Sequence, residues 1–395
     1  MSLVVRVIGT GQRCLGLIML AAPCLAAAAY DPTDRFYLYA EAGYLSDSNV
    51  LRLNEKLESP RQFGYGGASD RIVTTTVGGH YDTTFSRQRF TLDGKFSDTR
   101  YDRFSRLDYH SWTARSAWNW ALASRWTGTI GYSDSKNQSS IEDAAGGVRD
   151  VIRDRVLDGR AVFALTSRIG LEFSGQRKAE RREVRFNNNF NQDTFGLGLV
   201  TSTEKGSMLA VRAQKSDITY VWLKNFIGSQ ASYRQTQFSV SARWPVTAKT
   251  TLSASTGWVR NEGNGGTQGG SRNRIGSFEW NWNADAKNTF AASYSRQSDT
   301  PGNNTIPSVL TSYSGSWQYL PTAKTQVSAR TSESTRKYAT SLGNERTRLY
   351  NITLSWKPMT QLELSTFAQN VVFKGTSPLN DYKVNQYGVN ARVFY

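Results

Sequence analysis

The chain has 395 residues, 38% hydrophobic and 20% charged, with 48 Lys and Arg against 32 Asp and Glu and a formal net charge of +16. Beyond the amino terminus no apolar run approaches the roughly 18 residues of a transmembrane helix, which excludes a helical membrane protein. The two cysteines, Cys14 and Cys24, both lie near the amino terminus, which excludes disulfides and Cys-based metal sites from the rest of the chain.

The first segment reads as an export signal. Arg6 and Arg13 supply positive charge, Cys14 to Ala22 is a short apolar stretch, Pro23 breaks it, and Ala26 to Ala29 offers an Ala-x-Ala cleavage site. That layout predicts a signal peptide over residues 1–29 and a mature domain over 30–395. A lipoprotein signal at Cys24 is disfavoured by the rigid Pro23 before it. Removing Arg6 and Arg13 lowers the formal charge from +16 to +14. Such a surplus points to anionic partners, either lipopolysaccharide phosphates or an acidic polymer, and export sets nucleic acid aside.

From there the dominant signal is a period of two. Phe238, Val240, Ala242 and Trp244 alternate with Gln237, Ser239, Ser241 and Arg243, and Phe278, Trp280 and Trp282 alternate with polar residues. Tyr313, Gly315, Trp317 and Tyr319 repeat the pattern, as do Tyr350, Ile352, Leu354 and Trp356. Strand side chains point alternately to opposite faces, so each segment has one apolar and one hydrophilic face. A soluble sandwich shows the same alternation. The connections distinguish the two.

Tight turns are expected at Ser86-Arg87, Ala123-Ser124, Ser167-Arg168, Lys205-Gly206, Thr247 to Lys249, Ala284 to Lys287, Pro321 to Lys324 and Pro358 to Thr360. Between them lie long polar segments, among them Asp134 to Arg153, Lys178 to Gln192, Asn261 to Arg272 and Lys374 to Lys383. Short turns on one side and long loops on the other predict an all-β, antiparallel up-and-down transmembrane barrel of the outer membrane. Eight tight turns with both ends on one side give about 18 strands, with 16 the alternative. Trp120, Trp126, Trp244, Trp317, Tyr319 and Trp356 fall beside tight turns and are expected to form a periplasmic aromatic girdle. At the end of the chain Tyr387, Val389, Ala391, Val393 and Tyr395 alternate outward. That strand is similar to the recognition signal read by the barrel-assembly machinery.

The amino-terminal third carries a family likeness. Gly43 to Leu53 (GYLSDSNVLRL), Ser69-Asp70-Arg71, Arg100-Tyr101, Ser105 to Tyr109, Trp118-Asn119-Trp120 and Gly131-Tyr132 resemble the EpsL family of exosortase-associated outer-membrane barrels. The resemblance implies a part in export of an extracellular polysaccharide, together with a periplasmic or inner-membrane export apparatus.

If apolar residues face lipid, the other register lines the lumen. It places Arg89, Lys95, Arg115, Arg160, Arg168, Arg212, Arg243, Arg330 and Arg392 inside, with Glu41, Asp93, Glu172, Glu279 and Glu363. A guanidinium presents a planar fork of donors that suits carboxylates, sulfates and phosphates. Such a wall could conduct an anionic glycan by weak contacts, or its charges could pair off as a scaffold. A diffusion porin for small solutes fits the same wall, because a passive channel has no direction of its own. Barrels of this size leave an aqueous channel unless a loop enters, and Leu45 to Asp70 and Asp134 to Arg153 are the candidate plugs. Lys178 to Arg185 (KAERREVR) reads as a solvated strand extension or a contact to lipopolysaccharide phosphates. Asp47-Ser48-Asn49 reads as a capped turn before it reads as a cation site.

A catalytic role is not expected. A Ser–His hydrolase needs a histidine beside its nucleophile, and only His80 and His110 exist. His80 shares a strand face with Asp82 and Thr84, whereas alternation sends Ser111 to the face opposite His110. No metal cluster, cofactor site or phosphate-binding glycine loop is legible.

Overall fold

A computed structural model describes residues 31, 34–54, 67–139, 148–222, 232–263, 271–299, 308–338 and 343–395. The expected signal peptide lies outside the described residues. The chain forms β1 (Phe36–Asp47), β2 (Asp70–Phe85), β3 (Gln88–Tyr101), β4 (Tyr109–Leu122), β5 (Trp126–Gln138) and β6 (Val151–Ala164). It continues through β7 (Ile169–Arg182), β8 (Phe190–Ser202), β9 (Met208–Tyr220), β10 (Ser232–Pro245), β11 (Thr250–Gly263) and β12 (Ser271–Asn283). The last third is β13 (Asn288–Asp299), β14 (Ser308–Thr322), β15 (Thr325–Tyr338), β16 (Asn344–Met359), β17 (Leu362–Lys374) and β18 (Tyr382–Phe394).

Each strand pairs antiparallel with its sequence neighbours, and β1 pairs with β18 from Tyr39↔Phe394 to Asp47↔Gln386, which closes an 18-stranded barrel. Closure leaves no sheet edge and satisfies the backbone without water, the condition for crossing hydrocarbon. The side chains agree. Val73, Val77, Phe90, Leu92, Phe96, Phe195, Leu197, Leu199, Ile352 and Leu354 are large, apolar and exposed. All lie on one parity of the register, so the outer surface is an apolar band and the other parity faces the interior.

Trp120, Trp126, Trp244, Trp317, Tyr319 and Trp356 lie on the outward parity close to the tight turns. Trp282 joins them, stacked on Phe290 at 5.4 Å between ring centroids. Its alternation was legible, yet its place beside the turn after Asn283 was not drawn from the sequence. Tyr387, Val389, Ala391 and Val393 occupy the outward parity of β18. In the turns, Ser86 and Ala123 adopt a positive φ of 55°, the left-handed conformation that tight hairpins demand.

The strands run further than the polarity of their upper ends suggests. Asp134 to Gln138 belong to β5, Val151 to Arg153 to β6, and Lys178 to Arg182 to β7 rather than to loops. Ladder hydrogen bonds do not require apolar side chains, and charge pairs such as Arg153–Asp134 at 2.5 Å hold the wall together above the apolar band. Lys178, Glu180 and Arg182 turn inward, into a network with Asp150 and Asp154, instead of forming a solvated arm. Asp150 is fully buried and accepts from the Arg185 Nε at 2.6 Å.

The barrel has little conventional core. Val50, Leu51, Ala68, Ile72, Phe104 and Leu107 form a buried cluster, joined by Leu45, Leu53 and Tyr101. Leu45, Ile72 and Tyr101 stand in one cross-strand row on the inner face of β1, β2 and β3. The first and second extracellular loops therefore fold over the interior wall at the mouth. Asp70 ties them together by accepting from the backbone N–H groups of Arg103 and Phe104, each at 3.0 Å. Residues 55–66 and 140–147, within the two candidate plugs, lie outside the described residues.

Candidate functional site

The interior wall below these loops carries the charges. Glu172 is 4% exposed and sits between two arginines, with Arg160 Nη2 at 2.6 Å and Arg212 Nε at 2.8 Å. Arg212 reaches Glu172 across the whole of β8 because the intervening register position is Gly198. The same guanidinium donates to Ser241 Oγ at 3.0 Å on β10. Arg392 donates to Glu41 at 2.8 Å, with Glu363 directly opposite on β17. Arg89 donates to Asp82, and His80 Nδ1 lies 2.6 Å from Asp93. Glu279 accepts from Asn281 at 2.8 Å. Arg168 is a correction: it lies in the turn between β6 and β7, pairs with Glu204 at 2.7 Å, and does not line the wall. Its carbonyl still accepts from the Ser202 N–H of β8 at 3.0 Å, but it stands one position beyond the last ladder pair, Ile169↔Thr201, with its side chain exposed at the rim.

Four cations on the interior parity behave differently. Lys95, Arg115, Arg243 and Arg330 are exposed and make no ion pair among the described residues. Lys95 and Arg115 share a recess of about 410 Å³ with Arg392, Asp93, Tyr37, Tyr39 and Phe394. The Tyr39 ring lies across Gly78, where a Cβ would meet it at 2.4 Å. Arg392 stacks over Tyr39 at 5.2 Å, and Tyr37 stacks on His80 at 5.1 Å. The recess therefore combines free cations with flat aromatic walls, which suits a small anion that also has an apolar or sugar-like face. Its aromatics were missed from the sequence, although Tyr37 and Tyr39 share the parity of Glu41.

The other residues considered from the sequence are accounted for locally. The Asp47 carboxylate is filled by Arg52 at 2.9 Å, by Gln386 Nε2 at 2.7 Å and by the Asn49 N–H at 2.8 Å, so the Asp47-Ser48-Asn49 segment is a hydrogen-bonded turn. The carboxylate partner of His80 is Asp93 across the ladder, not Asp82 on its own strand, and no hydroxyl bonds to His80 among the described residues. His110 faces outward beside Asp98 at 2.8 Å.

No family model matches the chain, and no curated protein does. Solved structures do match. OccK2 (OpdF) of Pseudomonas aeruginosa aligns with a TM-score of 0.50 and 11% identity, over 91% of this chain and 97% of that one. A BenF-like porin of Pseudomonas fluorescens Pf-5 aligns with a TM-score of 0.50 and 10% identity, over 91% and 98%. The fold is that of an outer-membrane porin. Identities this low carry the fold alone. The resemblance to the EpsL family is overturned: no family model supports it, and the solved barrels that share the porin fold are of the OccK2 and BenF-like kind. Short motifs around turns and aromatics recur in outer-membrane strands for physical reasons, and that recurrence produced the likeness. The expectation of a part in polysaccharide export rested on that likeness and is left without support.

Proposed function

We propose that this porin-fold barrel is a passive diffusion channel for small anionic solutes, carboxylates above all. The observation that carries the reading is the contrast on the interior wall: Glu41, Asp82 and Glu172 are held by arginines, while Lys95, Arg115, Arg243 and Arg330 stay unpaired among the described residues and open to lumen water. Paired charges are scaffold. Unpaired cations spaced around a lumen attract anions and, being single weak sites, also release them. OccK2 has been solved in complex with glucuronate, a carboxylate-bearing sugar, and the recess beside Lys95 and Arg115 offers the matching chemistry. Loops packed over the mouth favour small solutes over polymers. The outward tryptophans would seat the barrel at the periplasmic boundary of the membrane.

The test is ion selectivity in planar bilayers under a salt gradient. The channel is expected to be anion-selective, and a K95Q/R115Q/R243Q/R330Q variant is expected to lose most of that preference. A reversal potential unchanged by all four substitutions would refute the reading. Liposome swelling faster in glucuronate than in glucose is the companion expectation.

A further inference from the structure

A second basic cluster lies on the opposite face of the wall. Arg260 of β11 and Arg272 of β12 are directly paired in the ladder, Arg274 is paired with Trp258, and Arg296 of β13 with Gly276. All share the outward parity of Trp258, Phe278 and Tyr294. Like charges placed directly across a ladder repel, at a cost of a fraction of a kcal/mol or more, unless an anion lies between them. The protein supplies one carboxylate, Glu262, at 2.8 Å from the Arg260 Nε. Arg272 lies over the Trp258 ring at 5.4 Å, and the Arg296 Nε donates to the Arg274 carbonyl at 3.2 Å. Arg272, Arg274 and Arg296 make no ion pair among the described residues.

Elsewhere on the upper outer wall some charges are matched, whereas Arg71, Lys215, Lys337, Lys374 and Lys383 make no ion pair among the described residues. Arg346 and Arg348 hold Glu333 at 2.6 and 2.9 Å, and Arg177 holds Asp193 at 2.7 Å. On β11 to β13 it is three neighbouring guanidinia, Arg272, Arg274 and Arg296, that have no carboxylate partner among the described residues.

The height of the cluster on the wall bears on which anion it suits. The pair Thr250↔Trp282 marks the lower end of β11 and β12, and Arg260↔Arg272 stands ten register positions above it. At about 3.4 Å per residue and a tilt of about 40°, that separation is roughly 26 Å, against an apolar band of about 25 Å. Arg260 and Arg272 thus sit where hydrocarbon ends and the outer-leaflet headgroups begin, with Arg274 and Arg296 two and four register positions lower, reaching up from the rim of the apolar band. Below them the surface is Phe278 and Tyr294, which with Arg272, Arg274 and Arg296 line a recess of about 470 Å³.

We infer that Arg260, Arg272, Arg274 and Arg296 form a binding site for the phosphorylated glucosamine headgroup of lipopolysaccharide, with the phosphate on the guanidinium forks and an acyl chain against Phe278 and Tyr294. A guanidinium fork chelates phosphate through parallel hydrogen bonds, so the site would replace the divalent cations that otherwise bridge these phosphates.

The experiment uses the full barrel extracted in mild detergent, with bound lipid read by native mass spectrometry. Wild type is expected to retain lipopolysaccharide, and R272Q/R274Q/R296Q to lose at least about tenfold of it, whereas R346Q/R348Q in the matched cluster keeps it. Heat-modifiable migration on gels confirms that the variants are folded, and R272Q or R274Q alone gives a graded loss if the triple variant is not. Stripped wild type is then offered intact lipopolysaccharide, dephosphorylated lipopolysaccharide or inorganic phosphate. Binding of the intact form alone supports the site. Equal binding of the dephosphorylated form, equal occupancy by inorganic phosphate, or undiminished lipid on the triple variant would each overturn it.

Discussion

Glu172 and Arg212 meet at 2.8 Å although a complete strand runs between them. Gly198 makes the crossing possible: a Cβ there would stand 3.0 Å from the Arg212 Cγ and 3.0 Å from the Val211 carbonyl oxygen. A glycine inside a strand weakens it locally, and here the gap is filled by a guanidinium that joins β7, β9 and β10 into one braced arc of wall.

Substituting that glycine tests the brace. Gly198→Val is expected to force Arg212 off Glu172, leaving a buried carboxylate with Arg160 alone, and to destabilise the barrel by about 1–3 kcal/mol. Urea unfolding in detergent measures it. A midpoint equal to wild type would mean that the crossing contributes nothing.

The recess on β1 to β4 should act on organic anions more than on chloride. Y39A/F394A removes aromatic wall and leaves Lys95 and Arg115 in place. Its reversal potential in potassium chloride is expected to match wild type, while block of the current by an aromatic carboxylate weakens severalfold. Equal loss of both would assign the rings a structural role only.

Loop closure at the mouth depends on Asp70, which is 3% exposed and holds the backbone of Arg103 and Phe104. Asp70→Ala leaves the Phe104 N–H without its acceptor, at a cost of about 1–3 kcal/mol, and loosens two loops at once. Single-channel recordings are expected to show larger and noisier conductance. Identical traces would place the loops clear of the conduction path.

Ala123 offers a test of turn strain. It holds a φ of 55° in the tight turn between β4 and β5, a conformation that costs a residue with a Cβ about 1–2 kcal/mol and glycine almost nothing. After the greater unfolded-state freedom of glycine is allowed for, Ala123→Gly is expected to stabilise the barrel by about 0.5–1 kcal/mol. A fall in the denaturation midpoint would contradict this.

The turn between β12 and β13 supplies a pH dependence. The Asp285 carboxylate accepts from the backbone N–H groups of Lys287 at 2.7 Å and Asn288 at 2.8 Å, and the first of these is the main reason that its pKa lies below the usual aspartate value. A depressed folded pKa means that the contribution is fully present above the unfolded value of about 3.9 and is lost as pH falls through the folded one. A carbon-detected titration of Asp285 should therefore have its midpoint below that of an unfolded aspartate, and Asp285→Asn should flatten this part of the acid limb.

Alternation and turn spacing were sufficient for strand number and topology, with the charges of the upper β7, Lys178, Glu180 and Arg182, turning inward beyond what alternation indicated. Strand number and topology follow from local rules, since side chains on a pleated strand alternate and a short turn forces the next strand to be an antiparallel neighbour. Arg168 escaped those rules because it sits in a turn. The upper ends of β5 to β7 escaped them because pairing continues where hydrophobicity stops. Which charges are spent on each other was not legible at all. Glu172 finds Arg212 through Gly198, His80 finds Asp93 rather than Asp82, and Lys95 and Arg115 are left free, according to which residues the closed ladder sets opposite one another. The family likeness failed for a related reason: motifs dictated by membrane strands recur among barrels whatever they conduct. The sequence by itself determined that alternate side chains meet two different solvents. Only the tertiary structure decided which cations remain available to a solute or a lipid, because ion pairing depends on neighbours across strands, far apart in the chain.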